Sequence, residues 1–141
     1  MINFNYESDF ELSNENDVAE WLSRVLLSEN KTEGEINYIF CDDEYLLEIN
    51  NQHLGHDTLT DIISFDYSLG NEISGDIFIS TERVLDNSKD YNTTFENELN
   101  RVMVHGILHY CGYKDKTEND EFLMRSKEEE KLMMFHVKQP D

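Results

Sequence analysis

Three residues in the last third of the chain have the types and the spacing of metal ligands. His105 and His109 are four residues apart, so on a helix at about 100° per residue their imidazoles project from one face. Gly112 follows, where the chain is able to adopt a positive φ, end the helix and turn back, and Asp115 comes three residues later. The pattern H-x-x-x-H-x-x-G-x-x-D is typical of two helical ligands and a third after a glycine turn. Imidazoles suit zinc and a carboxylate is a competent partner, so the sequence predicts one Zn²⁺ per chain on these residues.

A purely structural interpretation of the same residues is the alternative. In it the two histidines pack within the helix or cap it, and Asp115 is an ordinary loop acid. That alternative is the better one for an isolated H-x-x-x-H, but the added glycine and third ligand favour a metal. Gly106 stands where H-E-x-x-H metalloproteases have the glutamate that acts as general base. A peptidase of that type is therefore disfavoured, and the base or electrophile must come from elsewhere in the chain.

The elements that must position this site follow from hydrophobic periodicity. Strands are predicted at residues 2–6, 36–40, 61–67 and 74–80, and helices at 14–29, 81–91, 95–110 and 118–134, with a further helix capped by Asp42. Gly34 is interpreted as a break before the second strand. Helices between the early strands imply parallel crossovers, and the short turn after Tyr67 implies an antiparallel pair. We expect an α+β fold: a small mixed sheet of about four strands with one antiparallel edge, covered by about five helices, one of them a zincin-like metal helix.

The side chains around the proposed ligands divide into a buried and a solvated group. From Val102 to Tyr110 the histidine helix is apolar almost all round, which marks a buried element that is able to hold a site rigidly. Cys111 lies about 200° round that helix from His109 and is expected to pack away from the metal. The acidic run 128–130 is interpreted as a solvated helix face beside Lys127 and Lys131.

Size and charge limit the domain count, the compartment and the partners. A chain of 141 residues is expected to form one domain, residues 1–141, with its own core. A net charge of −20 repels nucleic acid and anionic membranes at long range, but seven of the eleven lysines and arginines lie in residues 101–141. Two cysteines and an N-terminus without a basic or apolar leader pattern favour the cytoplasm. No window is apolar and long enough to span a membrane.

Three sequence blocks resemble one known family. The stretch H-G-I-L-H-Y-C-G-Y-K-D at 105–115 is similar to the signature H-G-x-L-H-L-x-G-Y-D-H of the YbeY family of bacterial rRNA maturation factors. The strand T-D-I-I-S-F at 60–65 resembles the family's T-D-V-L-S-F, and G-D-I at 75–77 resembles its G-D-I. With Ile49-Asn50 before them, the match extends over residues 45–116. The family's mixed four-stranded sheet is similar to the fold that periodicity predicts independently.

The resemblance implies a function and a set of partners. Members of the family are described as zinc-dependent, single-strand-specific endoribonucleases. They act in rRNA maturation, at the 3′ end of small-subunit ribosomal RNA, and in ribosome assembly or quality control. The implied partners are precursor ribosomal RNA, the small subunit or its proteins and an assembly GTPase, with no membrane partner.

Two departures from the family pattern affect the expected site. Asp115 stands where the family has its third histidine, which keeps a zinc ligand but lowers the charge of the site by one. Leu54 stands where the family usually has an arginine, which removes a phosphate contact. Arg101, one turn before His105, and His56 are the candidates to replace that cation as catalytic residues. The alternatives are an exposed pair of Arg101 with Glu98 or Asn97 and a plain loop role for His56.

Ser64, in the strand that resembles T-D-V-L-S-F, is the candidate substrate-binding residue, with an ordinary strand residue as its alternative. Three functional hypotheses then remain. The first is the endoribonuclease. The second is a zinc hydrolase of another substrate class, and the third is a non-catalytic ribosome-assembly factor whose acidic surface suits basic ribosomal proteins.

Overall fold

Four strands form one mixed sheet in the computed structural model, which describes residues 1–54 and 59–136. The strands are β1 (Ile2–Tyr6), β2 (Thr32–Cys41), β3 (Ile62–Asp66) and β4 (Glu72–Ser80). Their order across the sheet is β1-β2-β4-β3. Strand β2 runs parallel to both β1 and β4, and β3 pairs antiparallel with β4. The predicted mixed sheet with a single antiparallel edge is confirmed within the described residues.

Five α-helices accompany the sheet in the described ranges. They are α1 (Glu15–Ser28), α2 (Asp43–Ile49), α3 (Thr81–Asp90), α4 (Phe95–Tyr110) and α5 (Glu118–His136), and a π-helical turn, Asn50–Leu54, follows α2. The side chain of Asp42 caps α2 by accepting a hydrogen bond from the Tyr45 amide at 2.8 Å, as the sequence predicts. The predicted α+β class and number of helices are confirmed.

The second strand is longer than the sequence suggests. Strand β2 begins at Thr32 and continues through Gly34, which therefore does not break it. Its pairing with β4 shifts register between Glu33 and Ile36, so the glycine lies at a bulge within the strand. The prediction of a break was wrong because a glycine in a strand is compatible with a bulge as well as with an end.

Helix α1 and helix α4 supply most of the helical side chains of the core. The buried face of α1 consists of Val18, Trp21, Leu22, Val25 and Leu26. Helix α4 packs against the sheet next to Gly106, where an added Cβ would lie 3.1 Å from Ile77 Cδ1 and 3.2 Å from Ile62 Cδ1. The Tyr38 hydroxyl donates to the Met103 carbonyl at 2.7 Å, which ties α4 to β2. The histidine helix is therefore fixed on the sheet by close packing and by a buried hydrogen bond.

The described helices are too short or too polar to cross a membrane. None of those in residues 1–54 and 59–136 combines the length and the hydropathy that a bilayer crossing requires.

Candidate metal centre

Local backbone geometry brings the three predicted ligands together. Thr94 caps α4, and its hydroxyl accepts a hydrogen bond from the Asn97 amide at 3.1 Å. The helix ends just before Gly112, which has a φ of 107° and donates its amide hydrogen to the His109 carbonyl at 3.0 Å. A side chain other than hydrogen is strained at that φ, so glycine allows the chain to reverse there. The reversal returns Asp115 to the face of α4 that carries the histidines.

The ligand group, defined as His105, His109 and Asp115, is compact. Each residue offers one ligand atom, and these atoms all lie within 4.8 Å of one another. The Asp115 Oδ2 atom is 3.5 Å from His105 Nε2 and 3.2 Å from His109 Nε2. The two imidazole rings meet edge to face with their centroids 4.6 Å apart. Two helical imidazoles and one loop carboxylate therefore converge on one point.

Glu128 sets the orientation of His105. Its Oε2 atom lies 2.6 Å from His105 Nδ1, and its side chain is only 2% exposed. Because a carboxylate accepts only, Nδ1 of the neutral imidazole donates to Glu128 and leaves the Nε2 lone pair directed at the ligand group. Burial alone would raise the pKa of Glu128, but the hydrogen bond from His105 and the nearby charge of Arg101 outweigh it and hold that pKa below its usual range.

Behind Glu128 lies a buried set of charges that we name the Glu128 network: Glu128, Arg101 and Glu98. The Nη1 atom of Arg101 is 3.0 Å from Glu128 Oε1. Its Nε and Nη2 atoms bind Glu98 in bidentate fashion at 2.9 and 2.6 Å. All three guanidinium nitrogens therefore have carboxylate partners, and the arginine holds Glu128 in place.

The donor set and the charge balance of the site both fit a divalent cation. Two ligands of a tetrahedral zinc ion, each at about 2.0–2.1 Å, lie about 3.4 Å from each other. The two imidazole–carboxylate separations, 3.5 and 3.2 Å, agree with that spacing. With neutral imidazoles, the three carboxylates of the ligand group and the Glu128 network outnumber the guanidinium groups of Arg101 and Arg125, the second of which lies 3.9 Å from Glu128. A cation held by the ligand group would offset this excess of negative charge.

A comparison with protein-family models decides the family. The model for Endoribonuclease YbeY matches residues 2–136. The chain belongs to the YbeY endoribonuclease family. Relatives named Endoribonuclease YbeY occur in Flavobacterium psychrophilum, at 70% identity over 139 residues and 99% of each chain, and in Christiangramia forsetii, at 59% identity over 138 residues. The second match covers 98% of this chain and 96% of the relative.

The fold of a solved structure is also similar. The solution structure of TM1509 from Thermotoga maritima matches with a TM-score of 0.71 at 28% sequence identity. The match covers 96% of this chain and 89% of that one. The mixed sheet and the helices around the site therefore have a counterpart in an experimentally determined structure.

The remaining predicted site residues occupy different positions. Arg101 pairs with Glu98, as its alternative interpretation proposed, but the pair is buried rather than exposed. Ser64 is exposed on β3 and lies on the same side of the strand as Ile62, the side that α4 contacts. His56 and the side chain of Leu54 lie outside the described residues. The catalytic and substrate-binding roles of Arg101, His56 and Ser64 stay predictions.

Cys111 packs against the hydrophobic core and is not part of the ligand group. This placement agrees with the expectation from its position on the helix. Burial raises the pKa of its thiol to about 11, so the cysteine is protonated at neutral pH and is a poor metal ligand.

Sequence analysis missed two acidic residues near the site. Glu128 was interpreted as part of a solvated face, which is wrong because it is buried against His105; Glu129 and Glu130 are exposed as expected. Asp61, at the start of β3, is close enough to Arg101 and His105 for their charges to act on it. Burial raises the pKa of Asp61 despite those two charges. Both carboxylates come from elements distant in sequence from the histidine motif.

Proposed function

We propose that this chain is a zinc-dependent endoribonuclease that cleaves single-stranded segments of precursor ribosomal RNA, at the 3′ end of small-subunit rRNA, and so acts in ribosome maturation in the cytoplasm. The observation that carries the proposal is the ligand group, whose three atoms lie within 4.8 Å in a member of the YbeY endoribonuclease family. Its relatives of 70% and 59% identity are named as endoribonucleases, which supports the reaction class. The metal, the ribosomal substrate and the compartment belong to the proposal.

In this proposal the metal ligands and the residues that position them have separate roles. His105, His109 and Asp115 would hold the metal, which when bound acts as a Lewis acid on a phosphoryl oxygen and activates water. Glu128 keeps His105 in the tautomer whose Nε2 atom is a ligand, and Arg101 keeps Glu128 ionised and in place. A preorganised ligand set of this kind avoids reorganisation during the reaction.

A cleft gives substrate access to these residues. It has a volume of about 550 Å³ and is lined by both helices of the site; its walls include Arg101, His105, Asp115, Phe122, Arg125 and Glu128. Asp115 is 44% exposed, so the open side of the ligand group is reachable from solvent. An RNA strand that lies in this cleft has its phosphates next to the ligand group.

The test combines metal analysis with cleavage of precursor rRNA, with and without ribosomal small subunits, for wild type and His109→Ala. We expect about one zinc per wild-type chain and cleavage that is lost in the variant. Cleavage only in the presence of subunits would indicate that a partner presents the RNA. Equal cleavage by wild type and His109→Ala would contradict the proposal.

A second candidate, a non-catalytic assembly factor, is favoured by one observation. The net charge of −20 suits a basic protein partner better than a free polyanion. The same experiment separates the two, because an assembly factor binds subunits without cleaving RNA. For a hydrolase of peptides, no observation on the site adds support, and Gly106 lacks the carboxylate that H-E-x-x-H enzymes use.

A further inference from the structure

An exposed aromatic ring stands in the wall of the cleft that is lined by His105 and Asp115 of the ligand group. Phe122 lies on α5, is 77% exposed and lines the same cleft as His105 and Asp115. Scattered exposed apolar residues are normal on protein surfaces and need no explanation by themselves. Its position in one cleft with two of the three residues of the ligand group is what gives it functional meaning.

A second flat surface lies one helical turn away. Arg125 is three residues after Phe122 and lines the same cleft. Its guanidinium carbon is 6.0 Å from the ring centroid of Tyr91, at the end of α3, and the tyrosine is 58% exposed. This arrangement holds the planar guanidinium at the surface. The cleft therefore offers a phenyl ring and a guanidinium supported by a phenol.

The charge of the cleft shows which part of an RNA strand these surfaces suit. Glu118 and Glu121 line it together with Asp115 and Glu128, against the two cations Arg101 and Arg125. Arg101 is already paired with two carboxylates, those of Glu98 and Glu128, and is not available to a phosphate. Attraction of phosphates is therefore weak here, so affinity for a strand at this surface has to come from stacking on its bases, which accepts every base.

We infer that Phe122 and Arg125 form a stacking platform for an unpaired nucleobase next to the nucleotide held at the ligand group. The inference rests on the proposed endoribonuclease function and deepens it. Stacking requires a base that is splayed out of a helix, so the platform selects single-stranded RNA. It also supplies affinity that the acidic surface of this chain does not obtain from phosphates.

Equilibrium binding of a fluorescent single-stranded phosphorothioate oligoribonucleotide, which resists cleavage, to the zinc-loaded full-length protein tests the platform without cleavage. We expect Phe122→Ala to weaken binding roughly 5- to 10-fold, the lower part of the range for loss of one stacked base. Phe122→Tyr keeps the flat ring and should bind like wild type. Met133→Ala is the matched control, since Met133 is 67% exposed on the same helix and about 16 Å further along its axis.

Two further measurements identify the part of the RNA that is bound. An oligonucleotide of equal length with abasic sites should bind wild type as weakly as the intact strand binds Phe122→Ala. Phe122→Ala should leave the slope of log affinity against log salt unchanged, because no phosphate contact is lost. Arg125→Gln should weaken binding of the intact strand more than that of the abasic strand.

The outcomes separate the platform from the proposed function. Unchanged affinity in Phe122→Ala, or no measurable binding by wild type, would overturn the platform even if the wild-type enzyme with metal cleaves RNA. Base-dependent binding that requires Phe122 in a protein that does not cleave RNA would keep the platform and overturn the nuclease. If Phe122→Ala weakens binding of a basic peptide but not binding of RNA, the surface belongs to a protein partner and the platform is overturned.

Discussion

Helix α5 is held by two clusters of charged side chains that differ in their charge balance. The first, which we name the Glu29 cluster, consists of Glu29, Tyr113, Lys127, Glu130 and Lys131. Lys131 Nζ lies 2.9 Å from carboxylate oxygens of both Glu29 and Glu130, and the Tyr113 hydroxyl donates to Glu29 at 2.7 Å. Two carboxylates face two ammonium groups, so this cluster is formally neutral.

The ligand group with the Glu128 network forms the second cluster. Its three carboxylates outnumber the guanidinium groups of Arg101 and Arg125, and its three ligand atoms lie within 4.8 Å of one another. Paired charges of this kind serve structure, whereas an excess of negative charge around converging ligand atoms favours a cation from outside. Charge balance, more than the number of ion pairs, therefore distinguishes the candidate metal site from the structural tie on the same helix.

The largest effect is expected from removal of a histidine ligand. His105→Ala or His109→Ala leaves at most two protein ligands, too few for a catalytic tetrahedral site, and we expect metal affinity to fall by more than about 100-fold. Metal content after dialysis, measured by elemental analysis, tests this. Glu29→Gln is the control from the neutral cluster and should keep the metal. Full occupancy in both histidine variants would contradict the ligand assignment.

Substitution of Asp115 tests whether this residue is the third metal ligand. Asp115→Ala should lower zinc affinity strongly, while Asp115→His should restore a ligand and keep the metal. The residue is 44% exposed, so both variants should have wild-type unfolding midpoints. Zinc titration against a competing chelator measures the affinities. An affinity in Asp115→Ala equal to that of wild type would reduce the site to two histidines.

Glu128 and Lys131 provide a matched pair, one buried charge from each cluster. Glu128→Gln retains an acceptor for His105 but loses the charge, and we expect metal affinity to fall roughly 10-fold. Lys131→Met leaves Glu29 without its main partner and should lower the free energy of unfolding by about 3 kcal/mol with metal affinity unchanged. Urea unfolding of the chelated proteins and zinc titration separate the two effects. Loss of zinc affinity in Lys131→Met would show that the clusters are coupled.

The smallest effect concerns the pH dependence of the neutral cluster. Burial would raise the pKa of Glu29, but the hydrogen bonds from Lys131 and Tyr113 outweigh it, so that pKa lies below its usual value of 4.5. A lowered folded-state pKa gives stability that is present above the unfolded value and lost as pH falls through the folded value. The stability difference between wild type and Glu29→Gln should therefore be constant above about pH 5.5 and shrink below pH 4.5. Urea midpoints between pH 3 and 7 measure it, and a constant difference throughout would contradict this assignment.

Local patterns were sufficient for the fold and for the placement of the candidate ligands. The spacing of His105, His109 and Asp115 predicted the ligand group because helix geometry and one glycine turn determine it. The alternation of apolar residues predicted the four strands because side chains of a strand point to opposite faces of the sheet in turn. The resemblance to the YbeY family agreed with both.

Contacts between elements that are distant in sequence could not be predicted from these local patterns. Glu128 joins the site only because α5 packs on α4. Its acidic neighbours made it resemble part of a solvated helix face. A signal was nevertheless present: Met124, Glu128, Lys131 and Phe135 recur at helical spacing, and the first three are buried. A charged residue in an apolar stripe indicates a buried partner, whose identity requires the structure.

The close packing of α4 on the sheet also limits what chemistry this scaffold is able to acquire by mutation. At position 106 a side chain would point at Ile62 and Ile77, each within 3.2 Å of its first carbon. A glutamate there would place a carboxylate in an apolar environment and press the histidine helix away from β3 and β4. The single substitution that would give this sequence the H-E-x-x-H peptidase motif therefore requires the two isoleucine side chains to shift, and the scaffold resists it unless the sheet beneath changes as well.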